Sequence, residues 1–238
     1  MRYSEKMKFS APLQQATLLK RYKRFLSDAK LPNGSEVVAH CANPGSMMGL
    51  AEPGSEIWLS PNTNPKAKLD WRWEMIRVEG HLVGINTSHP NKITEEAVNA
   101  GKIAELTGYE TLRREVKYGE NSRIDLLLED SDKPDCYVEI KNVTLRRDDR
   151  AEFPDSVTKR GAKHLVEMAN MVSQGNRAVM VYIVQRGDCA TFRLADDIDP
   201  IYAQTFARAT ANGVEAICYE CDMSINGIEI GGPVPISI

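Results

Sequence analysis

An all-β unit followed by an α/β unit, meeting near residue 90, is the architecture this sequence predicts. Three observations carry that reading. Gly, Pro and Asn cut the first ninety residues into pieces of strand length. Near residue 90 the apolar spacing shifts toward helical period. Charge divides at the same place: residues 1–90 hold 12 Lys and Arg against 8 Asp and Glu, net +4, whereas residues 91–238 hold 18 against 25, net −7. A basic portion joined to an acidic one fits an anion-binding module linked to a carboxylate-bearing one, with scatter of surface charge as the alternative.

Composition bounds the rest. The chain has 238 residues, 42% hydrophobic and 26% charged, which excludes a disordered or collagen-like chain and suffices for a core without staples. No apolar run approaches transmembrane length and the first residues lack an apolar signal region, so neither a membrane span nor secretion is expected. Five cysteines, an odd number, point to a reducing, cytoplasmic setting. No obligate protein partner is expected.

In the first unit, Glu36–His40, Glu56–Leu59, Trp73–Val78 and Leu82–Asn86 read as strands, with Glu79-Gly80 turning the last pair. Pro32-Asn33-Gly34, Asn43-Pro44-Gly45 and Glu52-Pro53-Gly54 are turns in which Pro fixes φ and Gly supplies positive φ. Short strands without a strong helix suggest a small barrel or sandwich, and a basic small barrel is one scaffold for oligonucleotides. Ser88–Asn91 is the expected boundary, giving units of 1–90 and 91–238.

Thr94 is the expected N-cap of a helix with Ile93, Ala97, Val98, Ala104 and Leu106 as its apolar stripe, ended by Gly108. Glu110–Lys117, Arg123–Leu128 and Cys136–Lys141 read as strands, separated by a turn at 118–122 and a polar loop at 129–135. Ser156–Ser173 reads as a helix, Arg177–Val184 as a buried strand, and Pro200–Asn212 as a second helix. Val214–Tyr219 and Ile225–Ile230 close the unit as strands.

Chemistry gathers on two of these strands. Asp125 interrupts the apolar run Arg123–Leu128, where a lone carboxylate is costly unless compensated. Fourteen residues on comes Glu139-Ile140-Lys141, in which Glu139 and Lys141 share a strand face. If the strands pair, Asp125 and Glu139 meet on one face, and with a backbone carbonyl such as that of Ile140 they make a hard oxygen site suited to Mg²⁺ or Mn²⁺. Lys141 beside them orients a water or stabilises charge on phosphorus. The bland alternative is a surface Glu–Lys pair with Asp125 at a turn.

This D…ExK string on successive strands of an αβββαβ order resembles the PD-(D/E)xK nuclease core. The neighbouring blocks narrow the match: Asn121–Asp125, Glu139–Leu145, Phe153–Gly161 and Lys163-His164-Leu165, with Arg21–Phe25, His40–Met47 and Asn86-Thr87 in the first half. Together they resemble the sugar fermentation stimulation protein A (SfsA) family over nearly the whole chain. The resemblance implies an N-terminal OB-like β-barrel, a C-terminal PD-(D/E)xK nuclease-like α/β domain, DNA binding, and a regulatory role in sugar (maltose) utilisation. Pro44 and Lys159 depart from its expected pattern, and Arg146–Glu152 reads as a variable insert.

The catalytic candidates are therefore Asp125, Glu139 and Lys141, with Asp125, Glu139 and Ile140 as metal ligands. Arg21, Lys23 and Arg24 interleave with Tyr22 and Phe25, a mixture that binds backbone phosphates and stacks on bases. Arg160 and Lys163 open a helix whose free N–H groups can hold phosphate. His164 is a packed histidine or an acid–base group; Glu95, Glu96 and Glu105 are solvated or complete a metal site. Asn43-Pro44-Gly45 is a shaped turn that offers backbone N–H groups to an anion. Cys218 and Cys221 lack the second ligand pair of a zinc site and read as free thiols. Two functions remain: a Mg²⁺-dependent nuclease, or a non-enzymatic transcriptional regulator that keeps the fold only to bind DNA.

Overall fold

The computed structural model describes residues 6–237. In the first unit, strands β1 (Gln14–Tyr22), β2 (Leu26–Lys30), β3 (Glu36–Cys41), β4 (Glu56–Pro61), β5 (Trp71–Val78) and β6 (His81–Gly84) form one sheet in the order β3-β2-β1-β4-β5-β6. β3 also pairs with β5 in parallel, closing a five-stranded barrel of OB type. Alternation explains it: Ala16 and Leu18 of β1, Ala29 of β2, Ala39 and Cys41 of β3 and Ile57 and Leu59 of β4 enter a common core with Trp73 and Ile76. Trp73 is fully buried and its indole N–H donates to the Met75 carbonyl, so it packs the core and offers no stacking platform. The hairpin β1–β2 is absent from the sequence reading. Its turn carries Lys23 and Arg24 at positive φ (48° and 64°), positions where Gly or Asn would have marked it.

The second unit begins with α1 (His89–Asn99), followed by β7 (Thr111–Tyr118), β8 (Ser122–Asp130) and β9 (Lys133–Val143). β10 (Leu145–Arg147) and β11 (Arg150–Phe153) lead to α2 (Lys159–Ser173) and β12 (Arg177–Val184). β13 (Thr191–Leu194), α3 (Pro200–Ala211), β14 (Glu215–Ser224) and β15 (Gly227–Pro233) complete it. The main sheet runs β15-β14-β12-β9-β8-β7, with β9, β12 and β14 parallel and the rest antiparallel. One face packs on α1 through Ile93 and Ala97, the other on α2 and α3 through Leu165, Met168 and Phe206. With its αβββαβ order, this is the nuclease-like α/β fold.

Several elements differ from the expectation. α1 starts at His89 with Pro90 in its first turn, so Thr94 is buried inside the helix and caps nothing. The helix stops before Gly101 (φ 69°), and Ala104–Leu106 is a separate 3₁₀ turn. The expected polar loop at 129–135 is a tight hairpin: Asp130 pairs with Lys133, and its side chain accepts the Asp132 N–H at 3.0 Å. The expected insert at 146–152 is the β10–β11 hairpin, which joins β13 in a small second sheet. Cys218 lies in the core on the α2/α3 side and Cys221 in the core beside α1, both buried and free.

The two units share a core. Trp58 and Met75 of the barrel join the apolar cluster that contains Ile93 and Ala97 of α1. Gly84 of β6 donates its N–H to the Gln185 carbonyl at 2.8 Å, and a Cβ on Gly84 would lie 2.5 Å from Gln185 Oε1. Gly84→Ala is therefore expected to cost about 1–3 kcal/mol through overpacking. A melting curve would show this as roughly 2–4 °C per kcal/mol; an unchanged midpoint would mean that the junction yields freely.

Candidate active site

The carboxylates lie where two strands part. β8 and β9 pair from Leu128↔Cys136 to Leu126↔Val138, and no pairing continues at Asp125. There the Asp125 side chain replaces the ladder: its Oδ2 accepts the Ile140 N–H at 2.7 Å, and its Oδ1 accepts from Asn91 Nδ2 of α1 at 2.8 Å. These two donors are the compensation that a carboxylate in an apolar strand requires. Burial pushes the Asp125 carboxyl up, and the charge of nearby Glu139 adds to this, to about 6.

Glu139 is only 3% exposed. Its Oε1 accepts from Lys141 Nζ at 2.7 Å and from His164 Nδ1 of α2. Burial pushes its carboxyl up, but the His164 hydrogen bond and the Lys141 charge outweigh it and hold it below the usual value. Its Oε2 is sealed from solvent with no hydrogen-bond partner among the described residues. Arg160 Nε donates to His164 Nε2 at 3.3 Å, so Nδ1 carries the ring proton toward Glu139. The series Arg160–His164–Glu139–Lys141 thus joins the start of α2 to the end of β9, and His164 holds a carboxylate.

Asp125, Glu139, Ile140 and Lys141 come together; the other candidates are distributed around them. Arg21 Nη2 donates to the carbonyls of Arg24, Asn43 and Gly45, and Arg24 donates to the Pro44 carbonyl at 2.9 Å, so both shape the Asn43–Gly45 loop. Lys23 is exposed at the turn between β1 and β2. Lys163 Nζ donates to the Glu120 carbonyl at 2.7 Å and pairs with Glu167. Glu105 accepts from the Tyr219 hydroxyl, Glu95 pairs with Arg114, and Glu96 with Lys92. The helix residue on the carboxylate site is Asn91, which the sequence reading left in the boundary segment. Of the Asn43–Gly45 loop, Pro44 has no N–H and Gly45 donates its own to Asn43 Oδ1 at 2.9 Å; the anion beside the loop, Asp155, accepts instead from the Met47 N–H at 3.3 Å.

Tyr118 is a further residue missed by sequence. Its hydroxyl is buried without a partner among the described residues, and burial together with Glu139, Glu167 and Asp125 drives its pKa upward. Among the described residues no cluster of three or more His, Cys, Asp or Glu forms a metal cage. What the site holds is a pair of carboxylates, one with an orphaned oxygen.

The chain matches the family model described as "Sugar fermentation stimulation protein RE domain" over residues 88–227, and "SfsA N-terminal OB domain" over residues 19–85. A sugar fermentation stimulation protein homolog of Paramagnetospirillum magneticum is 61% identical over 232 residues, 98% of each chain. One of Rhodospirillum centenum is 57% identical over 232 residues, 97% of this chain and 100% of the relative. A solved structure of Pyrococcus furiosus SfsA in complex with Ca²⁺ superimposes with a TM-score of 0.89 at 26% identity, over 99% of this chain and 100% of that one.

Proposed function

The chain belongs to the sugar fermentation stimulation protein family, and from that premise and the carboxylate geometry we propose that it binds DNA between its two units and hydrolyses a phosphodiester there with a divalent cation. The observation that carries the reading is the buried, partnerless Oε2 of Glu139 beside a second carboxylate. Two such oxygens suit Mg²⁺ or Mn²⁺, because Mg²⁺ takes one or two protein carboxylates and fills its shell with waters and phosphate oxygens. Ca²⁺, bound in the related Pyrococcus furiosus structure, is a cation of the same hard, oxygen-seeking class.

Asp125 and Glu139 would hold the cation. A strand residue directs its N–H and C=O to the same edge, so the Ile140 carbonyl, whose N–H meets Asp125, faces the same gap and completes the oxygen set. When bound, the cation supplies Lewis acidity and an activated water. Asn91 and the Ile140 N–H fix the Asp125 carboxylate, and His164 fixes that of Glu139. Lys141, one N–H on Glu139, turns its other donors toward the phosphoryl oxygen on which charge develops. Lys23 and Arg24 on the barrel and Arg160 and Lys163 on α2 supply phosphate contacts, and Arg21 shapes the loop between them.

Incubating the protein with labelled single- and double-stranded DNA in Mg²⁺, Mn²⁺ or EDTA tests the reading. Cleavage with either metal and none in EDTA is expected. Binding without cleavage under any cation would leave the non-enzymatic regulator, with its role in sugar (maltose) utilisation, as the function. Lys23→Ala and Arg160→Ala are each expected to flatten the slope of log affinity against log salt by about 0.9. An unchanged slope would remove that residue from the DNA path.

A further inference from the structure

The carboxylate site has a neighbour that the reaction does not use. Glu139–Lys141 lie near the C-terminal end of β9, and the next residues, Asn142 and Thr144, line a cleft of about 250 Å³. The barrel forms its other side with Arg24, Asn43 and Pro44, so the cleft spans both units.

Its chemistry is specific. Thr144 is 5% exposed and Asn43 3% exposed, both more than nine-tenths buried. Among the described residues neither the Thr144 hydroxyl nor the Asn43 amide nitrogen has a hydrogen-bond partner, yet neither is sealed off, so both open to the cleft. Asn142 Oδ1 accepts from Gln185, which leaves its amide N–H groups free as well. Pro44, Leu145, Phe153 and Pro154 add apolar walls. Glu152, which reaches the cleft, is neutralised by Arg147 and Arg193, and Arg24 and Asp155 line it with one charge of each sign. A neutral, flat ligand with acceptors on its edge satisfies these donors between the apolar walls, whereas an extended apolar ligand leaves them unpaired.

We propose that the interdomain cleft receives a single unpaired nucleobase of the DNA strand whose phosphate lies at Asp125 and Glu139. The proposal rests on the DNA-binding reading above and adds the structural class of the substrate. A base turned out of its stack is read by hydrogen bonds to its edge and held between apolar surfaces, the two kinds of surface present here. Asn142 follows Lys141 at the C-terminal end of β9, on the opposite face by strand alternation, and Thr144 lies just beyond the strand, so the base site adjoins the phosphate site around the strand end.

The test uses two duplexes of equal length, one fully paired and one carrying a single unpaired 2-aminopurine, with EDTA present to prevent cleavage. Wild type is expected to bind the second more tightly by about ten-fold and to change its fluorescence. Thr144→Val removes the hydroxyl at nearly constant volume and should reduce that preference about five-fold, whereas Thr144→Ser retains it. All three should bind the paired duplex equally, and equal melting temperatures show that they fold. Equal affinity of wild type for both duplexes, or an undiminished preference in Thr144→Val, overturns the base site while DNA binding stands. Saturable binding of glucose with no unpaired-base preference replaces it with a free-sugar site. Failure to bind either duplex overturns the DNA reading together with the base site.

Discussion

Lys141→Ala is expected to lower metal-dependent DNA cleavage by about 10²–10³-fold, the scale of one preorganised electrostatic group. DNA affinity should fall only slightly, since one phosphate contact among several is lost. The residue suits this role because its side chain is 14% exposed and its ammonium is already held at 2.7 Å by Glu139, so it is oriented before it meets charge on phosphorus. Lys141 also helps hold Glu139 ionised against burial, so the variant should bind metal less well near neutral pH and recover on raising it. Cleavage measured at saturating Mg²⁺ and pH 8 separates that effect from the loss of the charge itself. Activity in the variant equal to wild type at pH 8 would remove Lys141 from the chemistry. Cleavage that survives both Lys141→Ala and EDTA would belong to another nuclease. Under the regulator reading only the small affinity change is seen.

How much of this was legible in the sequence follows from which interactions are local. Asp125 announced itself because a carboxylate inside an apolar strand demands partners, and Glu139-Ile140-Lys141 because strand alternation sets two charges on one face. The strand order made their meeting an expectation, and the structure places them on either side of the gap where β8 and β9 part. The partners themselves were hidden. Asn91 lies in a segment with the composition of a linker, and its contact with Asp125 spans 34 residues. His164 sits amid the first turns of an amphipathic helix, where a packed histidine and an orienting one look alike until Glu139 is opposite it. The barrel was less legible than the α/β unit because its first turn uses Lys23 and Arg24, and a turn without Gly, Asn or Pro leaves no local mark. The strands at 146–152 were equally hidden. The segment reads only as a variable insert, whereas Arg147 and Arg193 converge on Glu152, whose side chain is fully buried in the β10–β11–β13 sheet. The anion at the Asn43–Gly45 loop comes from the other unit, as Asp155, a relation that no local pattern records.

Asp125→Asn should separate stability from function. In the unfolded chain an aspartate ionises near about 3.9, whereas the folded Asp125 keeps its proton up to about 6. Between those values the native state holds more protons than the unfolded one, so stability falls as pH rises through the window. Above it, the ionised carboxylate costs about 2–3 kcal/mol. Asparagine carries no such cost at any pH. The stability of Asp125→Asn relative to wild type, measured in EDTA, should therefore rise by about 2–3 kcal/mol from pH 4 to pH 8. Part of that gain offsets the acceptor lost toward Asn91 or the Ile140 N–H. Magnesium should reverse the order. A cation that binds only the folded state stabilises it by mass action, about 2.7 kcal/mol at a hundred times its dissociation constant. Wild type should therefore melt later as Mg²⁺ is added, while Asp125→Asn does not respond. An equal Mg²⁺-induced shift in both proteins would mean that the cation sits elsewhere, and a pH-independent difference in EDTA would mean that Asp125 is not the costly charge that its place between Glu139 and the apolar strand implies.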